Sequence, residues 1–286
     1  MYKTYKLHSL FFSVVNKMFK LGKYQFESFK YRPGHRANYA VLSQPGNREW
    51  GVKYSPTYSY DSEYVALKKF SHPQIPKRYD CGKEKLFEND KLVLKEHFIV
   101  LKHFEGEDIV EYYKQNGLPD SGEMENVVKY FASVADPLQY LHSNGYAHTD
   151  IKPGHLILDP STGIVGLIDL ELTIKIGEII KGMTEEYASP EQKQMNSLLK
   201  DVTDRKGERV VLKQVKVDGR ADLYSIGLLL YEVLTGKRRT KTNNHPIEIN
   251  NAIPQKLNEI VMGLIDEDQS NRIPSAEILK EELASV

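Results

Sequence analysis

The feature that most constrains the fold is a change of apolar period near residue 105. From residue 24 to about 105, apolar and polar residues alternate in short runs: YQFESFKY, NYAVLS, EWGVKYS and HFIVLKHF. Alternation at period two builds one-sided strands, and the Pro-Gly pairs at 33–34 and 45–46 are turn signals. One helical run, DSEYVALKKF at 61–70, interrupts the series. From about 107 onward the apolar residues recur at helical spacing, most strongly in 121–145 and 221–236. Strands gathered before helices predict an α+β chain with two lobes: a small sheet with one helix, then a larger, mainly helical part. The junction is expected near 102–106.

Ahead of the strands, Leu7, Leu10, Phe11, Val14, Val15 and Met18 recur at helical spacing, with Lys3, Lys6, Lys17, Lys20 and Lys23 around them. We expect an amphipathic helix within 1–23, a small lobe over 24–103 and a large lobe over 104–286. Three readings stay open for that helix: packing on the small lobe, lying on a membrane surface, or docking on a second copy or partner through 7–21. The stretch is too short and too polar to span a bilayer, and no cleavage site of a signal peptide follows it. Cys81 is the only cysteine, which rules out an intramolecular disulfide and any cysteine-based zinc site, and fits a reducing cytoplasm. Thirty-nine basic residues balance thirty-nine acidic ones, so no nucleic-acid partner is expected.

The densest chemistry lies in YAHTDIKPGHLILD at 146–159, followed by LIDLELT at 167–173. Asp150 sits two residues after His148, Lys152 two further on, and Asp169 ends a short apolar run. A carboxylate for an incoming hydroxyl, an ammonium for a γ-phosphate and a carboxylate for Mg²⁺ are what phosphoryl transfer from ATP needs. The plain alternative for Asp150 and Lys152 is a loop ion pair.

The first of these segments resembles the HxDxKPxN catalytic loop of protein kinases. From about 24 to 283 the chain is similar to Hanks-type Ser/Thr kinases, with HPQIP, FEGEDI and YASPEQ resembling their small soluble bacterial branch. The resemblance implies a bilobal protein-kinase-like fold, in which Asp150 is the catalytic base or hydroxyl-orienting carboxylate and Lys152 balances charge on the transferred group. Asp169 then matches the metal-binding aspartate. GVK at 51–53 resembles the strand that carries the phosphate-gripping lysine, here Lys53. EYVALKKFSHPQIP at 63–76 makes Glu63 the helix acid that aims it, although only ten positions separate the two and the first turns of that helix are expected to be missing. HFIVLKHFEGEDI at 97–109 resembles the fifth strand and hinge, so that Leu101 gates an adenine pocket and the backbone around Lys102, His103 and Phe104 meets the base. TEEYASPEQ at 184–192 resembles the substrate-docking loop, with Thr184 bridging toward Asp150 and Lys152. Glu191 and Arg272 should form a buried ion pair, and Asp222 should receive N–H groups of the catalytic loop.

The departures matter as much. His155 stands where the family carries asparagine; it is either a metal ligand that suits Mn²⁺ better than Mg²⁺, or a satisfied loop histidine. The metal triplet reads Asp169-Leu170-Glu171, and Glu171 either points to solvent or adds an anionic ligand. YRPGHR at 31–36 keeps only Gly34 of the glycine-rich loop, and Thr149 replaces the usual arginine. An atypically long segment, 193–217, alternates valines with lysines around Lys206-Gly207, the pattern of a hairpin that is either decoration or docking surface. The implied activity is an ATP-dependent protein Ser/Thr kinase using ATP and Mg²⁺, with Mn²⁺ possible, on a protein substrate, slow or metal-selective. The alternative is a pseudokinase that binds nucleotide or scaffolds partners.

Overall fold

The computed structural model describes residues 19–26, 28–29, 38–41, 50–55, 57–88, 90–201 and 215–286. Seven antiparallel strands form the first sheet: β1 (Phe19–Leu21), β2 (Tyr24–Phe26), β3 (Ser28–Phe29), β4 (Asn38–Val41), β5 (Trp50–Ser55), β6 (Arg78–Glu88) and β7 (Lys91–Lys102). Their order is β2-β1-β6-β7-β5-β4-β3. Period-two alternation sorts the two faces. Val52, Tyr54, Phe98 and Val100 close one side with Leu21, Tyr24 and Leu86. Ile99 and Leu101 turn the other way, into a core shared with Leu67 and Phe70 beside the helix and with the helices of the second lobe. Lys53 pairs across the sheet with Ile99 and therefore shares that inner face.

One expectation is corrected here. Residues 19–21 are a strand, not the end of a helix: Gly22 turns the chain at φ 57°, and β1 pairs with the long strand β6. A short apolar run satisfies helical and strand periods alike, and the available edge of β6 decides it. The remainder of the expected helix, 1–18, lies outside the described residues, as do YRPGHR, both Pro-Gly pairs and the core of the expected hairpin, 202–214. Strand β6 itself escaped the sequence reading because Lys83, Glu84 and Lys85 are exposed and break its apolar alternation.

Helix α1 (Asp61–Leu67) lies on the inner side of this sheet, and the first lobe ends with β7 at Lys102. The second lobe follows with β8 (Glu107–Asp108), α2 (Ile109–Asn116), α3 (Met124–Ser143), β9 (Tyr146–Ala147), β10 (Leu156–Asp159), β11 (Ile164–Leu167) and β12 (Ile174–Lys175). Helices α4 (Pro190–Asp201), α5 (Gly219–Thr235), α6 (Pro246–Ile249), α7 (Gln255–Leu264) and α8 (Ala276–Ala284) complete it. The segment 193–201 continues α4, so the atypical stretch begins as helix. Helix α5 is buried around nearly its whole circumference, which marks it as the central helix of the lobe. Asp218 caps its start by accepting from Arg220 N, and Gly236 ends it at φ 67°. Among the described residues no helix is long and apolar enough to cross a membrane.

Candidate active site

Antiparallel pairing of β10 with β11 brings two distant loops to one point. Leu156 faces Leu167, so the loop 148–155 before β10 and Asp169 after β11 emerge at the same end. Ile168 N donates to His155 O at 3.0 Å, and His148 Nε2 to Ile168 O at 3.1 Å, tying the loops together.

Within the loop, Asp150 is buried and makes a triangle with Lys152 and Thr184. Lys152 Nζ donates to Asp150 Oδ2 at 2.8 Å and to Thr184 Oγ1 at 3.1 Å, and Thr184 Oγ1 donates to Asp150 Oδ1 at 2.7 Å. The loop is suspended from Asp222, which is fully buried and accepts from His148 N at 2.8 Å and Thr149 N at 2.7 Å. Thr149 and Asp169 both occupy the left-handed region, at φ 65° and 68°. Such a conformation costs a branched or polar residue about 1–3 kcal/mol and persists only where surrounding bonds enforce it. For Thr149 those bonds are the Asp222 contact, its own Oγ1 to Leu172 O at 2.8 Å, and Gln192 Nε2 to Thr149 O at 2.8 Å.

Opposite stands Lys53. Its Nζ lies 2.7 Å from Glu63 Oε1 and 3.6 Å from Asp169 Oδ2. Burial alone lowers the ammonium, yet Asp169 and Glu63 outweigh it and hold Lys53 charged, above its ordinary value. Helix α1 begins only at Asp61, two residues before Glu63, so the expected loss of its first turns does not prevent the pairing.

His155 is buried, and burial pushes its pKa down to about 3, against a smaller opposing pull from Asp169. It is a neutral imidazole. Its Nδ1 lies 2.8 Å from the carbonyl oxygen of Asp150, which can only accept, so Nδ1 carries the hydrogen. Nε2 thus holds the lone pair on the side of Asp169 Oδ2, 3.4 Å away. Two electron-pair donors converging there fit a divalent cation. Among the described residues no group of three or more His, Cys, Asp or Glu is arranged to hold a metal, so further ligands would be phosphate oxygens and water, as Mg²⁺ usually takes them. Glu171, in the turn Leu170–Leu172, is half-buried, and its carboxylate enters no ion pair among the described residues.

The connection between lobes runs past Leu101, which is buried, and Lys102, whose Nζ donates to Pro73 O at 3.2 Å. His103 is buried beside Glu105, and Phe104 seats on Gly166, where an added Cβ would come within 2.8 Å of its ring. The structure therefore unites Lys53, Glu63, Asp150, Lys152, His155 and Asp169, and sets Leu101, Lys102, His103 and Phe104 along the connecting strand and link.

Three further residues escaped the sequence reading. Asp108 caps α2 through Val110 N and Glu111 N, and also accepts from Gly154 N of the loop 148–155. An acid immediately before a helical run was the signal for that cap. Lys181 Nζ donates to the carbonyls of Thr173 at 2.7 Å and Glu171 at 3.3 Å, fastening the segment that follows Asp169. His142 Nε2 lies 2.8 Å from Asp222. Neither Lys181 nor His142 left a local signal.

The buried Arg272 guanidinium meets Glu191 in two bonds, at 2.8 and 2.9 Å, closing the base of the segment 184–192. Residues 52–284 match the family profile of the protein kinase domain. The chain belongs to that family. It is 26% identical over 250 residues to a probable serine/threonine-protein kinase of Clostridium acetobutylicum, covering 80% of this chain and 33% of that protein. It is 29% identical over 183 residues to the probable serine/threonine-protein kinase PknB of Bifidobacterium longum, covering 61% of this chain and 23% of that one. The chain thus spans a third or less of the length of these curated relatives. The crystal structure of the Mycobacterium tuberculosis PknI kinase domain, a double mutant, superposes with a TM-score of 0.63 at 18% identity, covering 93% of this chain and 96% of that chain. That likeness shows the bilobal kinase fold.

Proposed function

We propose that this kinase domain transfers the γ-phosphoryl group of ATP to a serine or threonine hydroxyl of a protein, with turnover that is slow or metal-selective. One observation carries the reading: the buried Lys53–Glu63 pair meets Asp169, which His155 links to the loop that holds Asp150 and Lys152, themselves joined by Thr184. The printed names of the relatives point to the same chemistry.

Asp150 would accept the hydrogen of the incoming hydroxyl and aim its oxygen. As the new O–P bond forms, the bond from the γ-phosphorus to the β–γ bridging oxygen breaks, ADP departs and the proton passes to Asp150. Lys152 and Lys53 balance the charge from either side. Asp169 and His155 would hold a divalent cation, Mg²⁺ or Mn²⁺, which neutralises phosphate charge when bound. Thr184 links Asp150 and Lys152 to the docking segment. The backbone of Lys102, His103 and Phe104 would meet the adenine, with Leu101 behind it. A free Cys81 is consistent with a cytoplasmic setting.

Labelled ATP, supplied with Mg²⁺ or Mn²⁺ and common protein substrates, tests the reading beside Asp150→Ala. Incorporation by the wild type alone supports it. Incorporation by neither protein, with ATP still bound, returns the pseudokinase alternative.

A further inference from the structure

Four of the five residues that follow Gly236 are basic: Lys237, Arg238, Arg239 and Lys241. The fold lays this run against the segment 184–192. The Arg238 guanidinium rests over the Tyr187 ring, 5.6 Å from its centroid, and Tyr187 N donates to Thr184 O at 3.1 Å. The run therefore meets the segment one backbone turn from the residue whose hydroxyl joins Asp150 to Lys152.

Most of its charge is not spent within the fold. Arg239 is the structural member: its Nη1 donates to Thr242 O at 2.7 Å and its guanidinium lies over the Tyr231 ring, which fixes the loop. A 3₁₀ turn over Arg239–Lys241 brings Lys241 N to Arg238 O at 3.0 Å. Side chains three apart in such a turn lie one above the other, so Arg238 and Lys241 share a side. Lys237 and Lys241 are exposed, with no acid within ion-pair distance among the described residues.

The buried Glu232 carboxylate of α5 faces this group. One oxygen accepts from the Tyr187 hydroxyl at 2.7 Å, and the other lies 3.8 Å from both Arg238 Nε and Lys114 Nζ of α2. With a hydroxyl and two cations already on it, Glu232 is not available to a basic peptide, and Lys237 and Lys241 stay uncompensated. Of the other acids, Glu111 holds Lys114 at 2.7 Å, while Glu185 and Glu186 are exposed on the Thr184 side of Tyr187.

We infer that the basic run after α5, together with Lys114, selects protein substrates that carry aspartate or glutamate beside the acceptor serine or threonine. This rests on the kinase reading above and names its substrate class. Exposed charges discriminate between partners more than they add affinity, and salt screens them.

The test uses three peptides of one sequence, with aspartate, alanine or lysine around a single serine. With ATP and Mg²⁺ or Mn²⁺, kcat/KM for the aspartate peptide is expected to exceed that for the lysine peptide about tenfold, and the ratio to shrink as salt is raised. In the double variant Lys237→Glu/Lys241→Glu the order reverses; both positions are exposed, so the fold survives the change. Fluorescence polarisation of the same peptides with the serine replaced by alanine reads the preference without chemistry, the nucleotide cleft being filled by a non-hydrolysable ATP analogue. Preferred binding of the aspartate peptide without turnover supports the inference and rejects the kinase activity. Turnover that ignores flanking charge overturns the inference and leaves the activity standing. Tighter binding of the lysine peptide, or binding of none of the three, also overturns it.

Discussion

Lys53 Nζ and Glu63 Oε1 stand 2.7 Å apart, joining the inner face of β5 to a helix of only seven residues. Asp169, 3.6 Å from the same ammonium, makes the lysine the hinge point of three charges.

Glu63→Gln removes the nearer carboxylate and leaves Lys53 to Asp169. The lysine is then expected to draw on the Asp169 carboxylate alone, raising KM for ATP about tenfold. Breaking a buried pair from one side also destabilises by about 3 kcal/mol. ATP titration and thermal unfolding measure the two effects; an unchanged KM would reject the assignment of Lys53.

His155 should make stability depend on pH in the metal-free protein. Its folded value, about 3, lies below the ordinary 6.5, so between these the unfolded chain binds the proton and the folded chain does not. Stability therefore falls as pH drops from 6.5 toward 3, by up to about 1.4 kcal/mol per pH unit. His155→Asn should flatten this slope in urea unfolding at pH 7 and pH 5. The same variant should shift turnover from Mn²⁺ toward Mg²⁺, because an amide oxygen replaces an imidazole nitrogen.

Arg272 binds Glu191 through two parallel bonds and also donates to the carbonyls of Asp266, Glu267 and Arg220. Lysine cannot reproduce that fork. Arg272→Lys is expected to cost about 3 kcal/mol, with Arg272→Met at least as costly because it strands the Glu191 carboxylate. Denaturant midpoints check this, and a cost below about 1 kcal/mol would contradict a structural role for the pair.

Thr184→Val should lower kcat while leaving the melting temperature nearly unchanged, since its hydroxyl joins Asp150 to Lys152 without supporting a core. A loss of about tenfold is expected, the worth of one charge-assisted hydrogen bond. Equal kcat in wild type and variant would show that the Thr184 hydroxyl does not tune the Asp150–Lys152 pair.

The chemistry that sits close along the chain is legible in the residues themselves. His148, Asp150, Lys152 and His155 occupy one loop, and the hairpin of β10 and β11 that carries Asp169 back to it spans few residues. The change from period two to helical spacing likewise announces two lobes, because each period is set by the backbone geometry of its own element. Contacts across the fold are a different matter. That Phe19–Leu21 joins β6 as a strand, that Asp108 holds Gly154, and that Lys181 fastens the carbonyls behind Asp169 all depend on register and packing between distant segments. The sequence alone determined which charged groups this protein carries and their order. Tertiary structure decided which of them meet, since a hydrogen bond requires atoms within about 3 Å and no local period encodes a distance between separate elements.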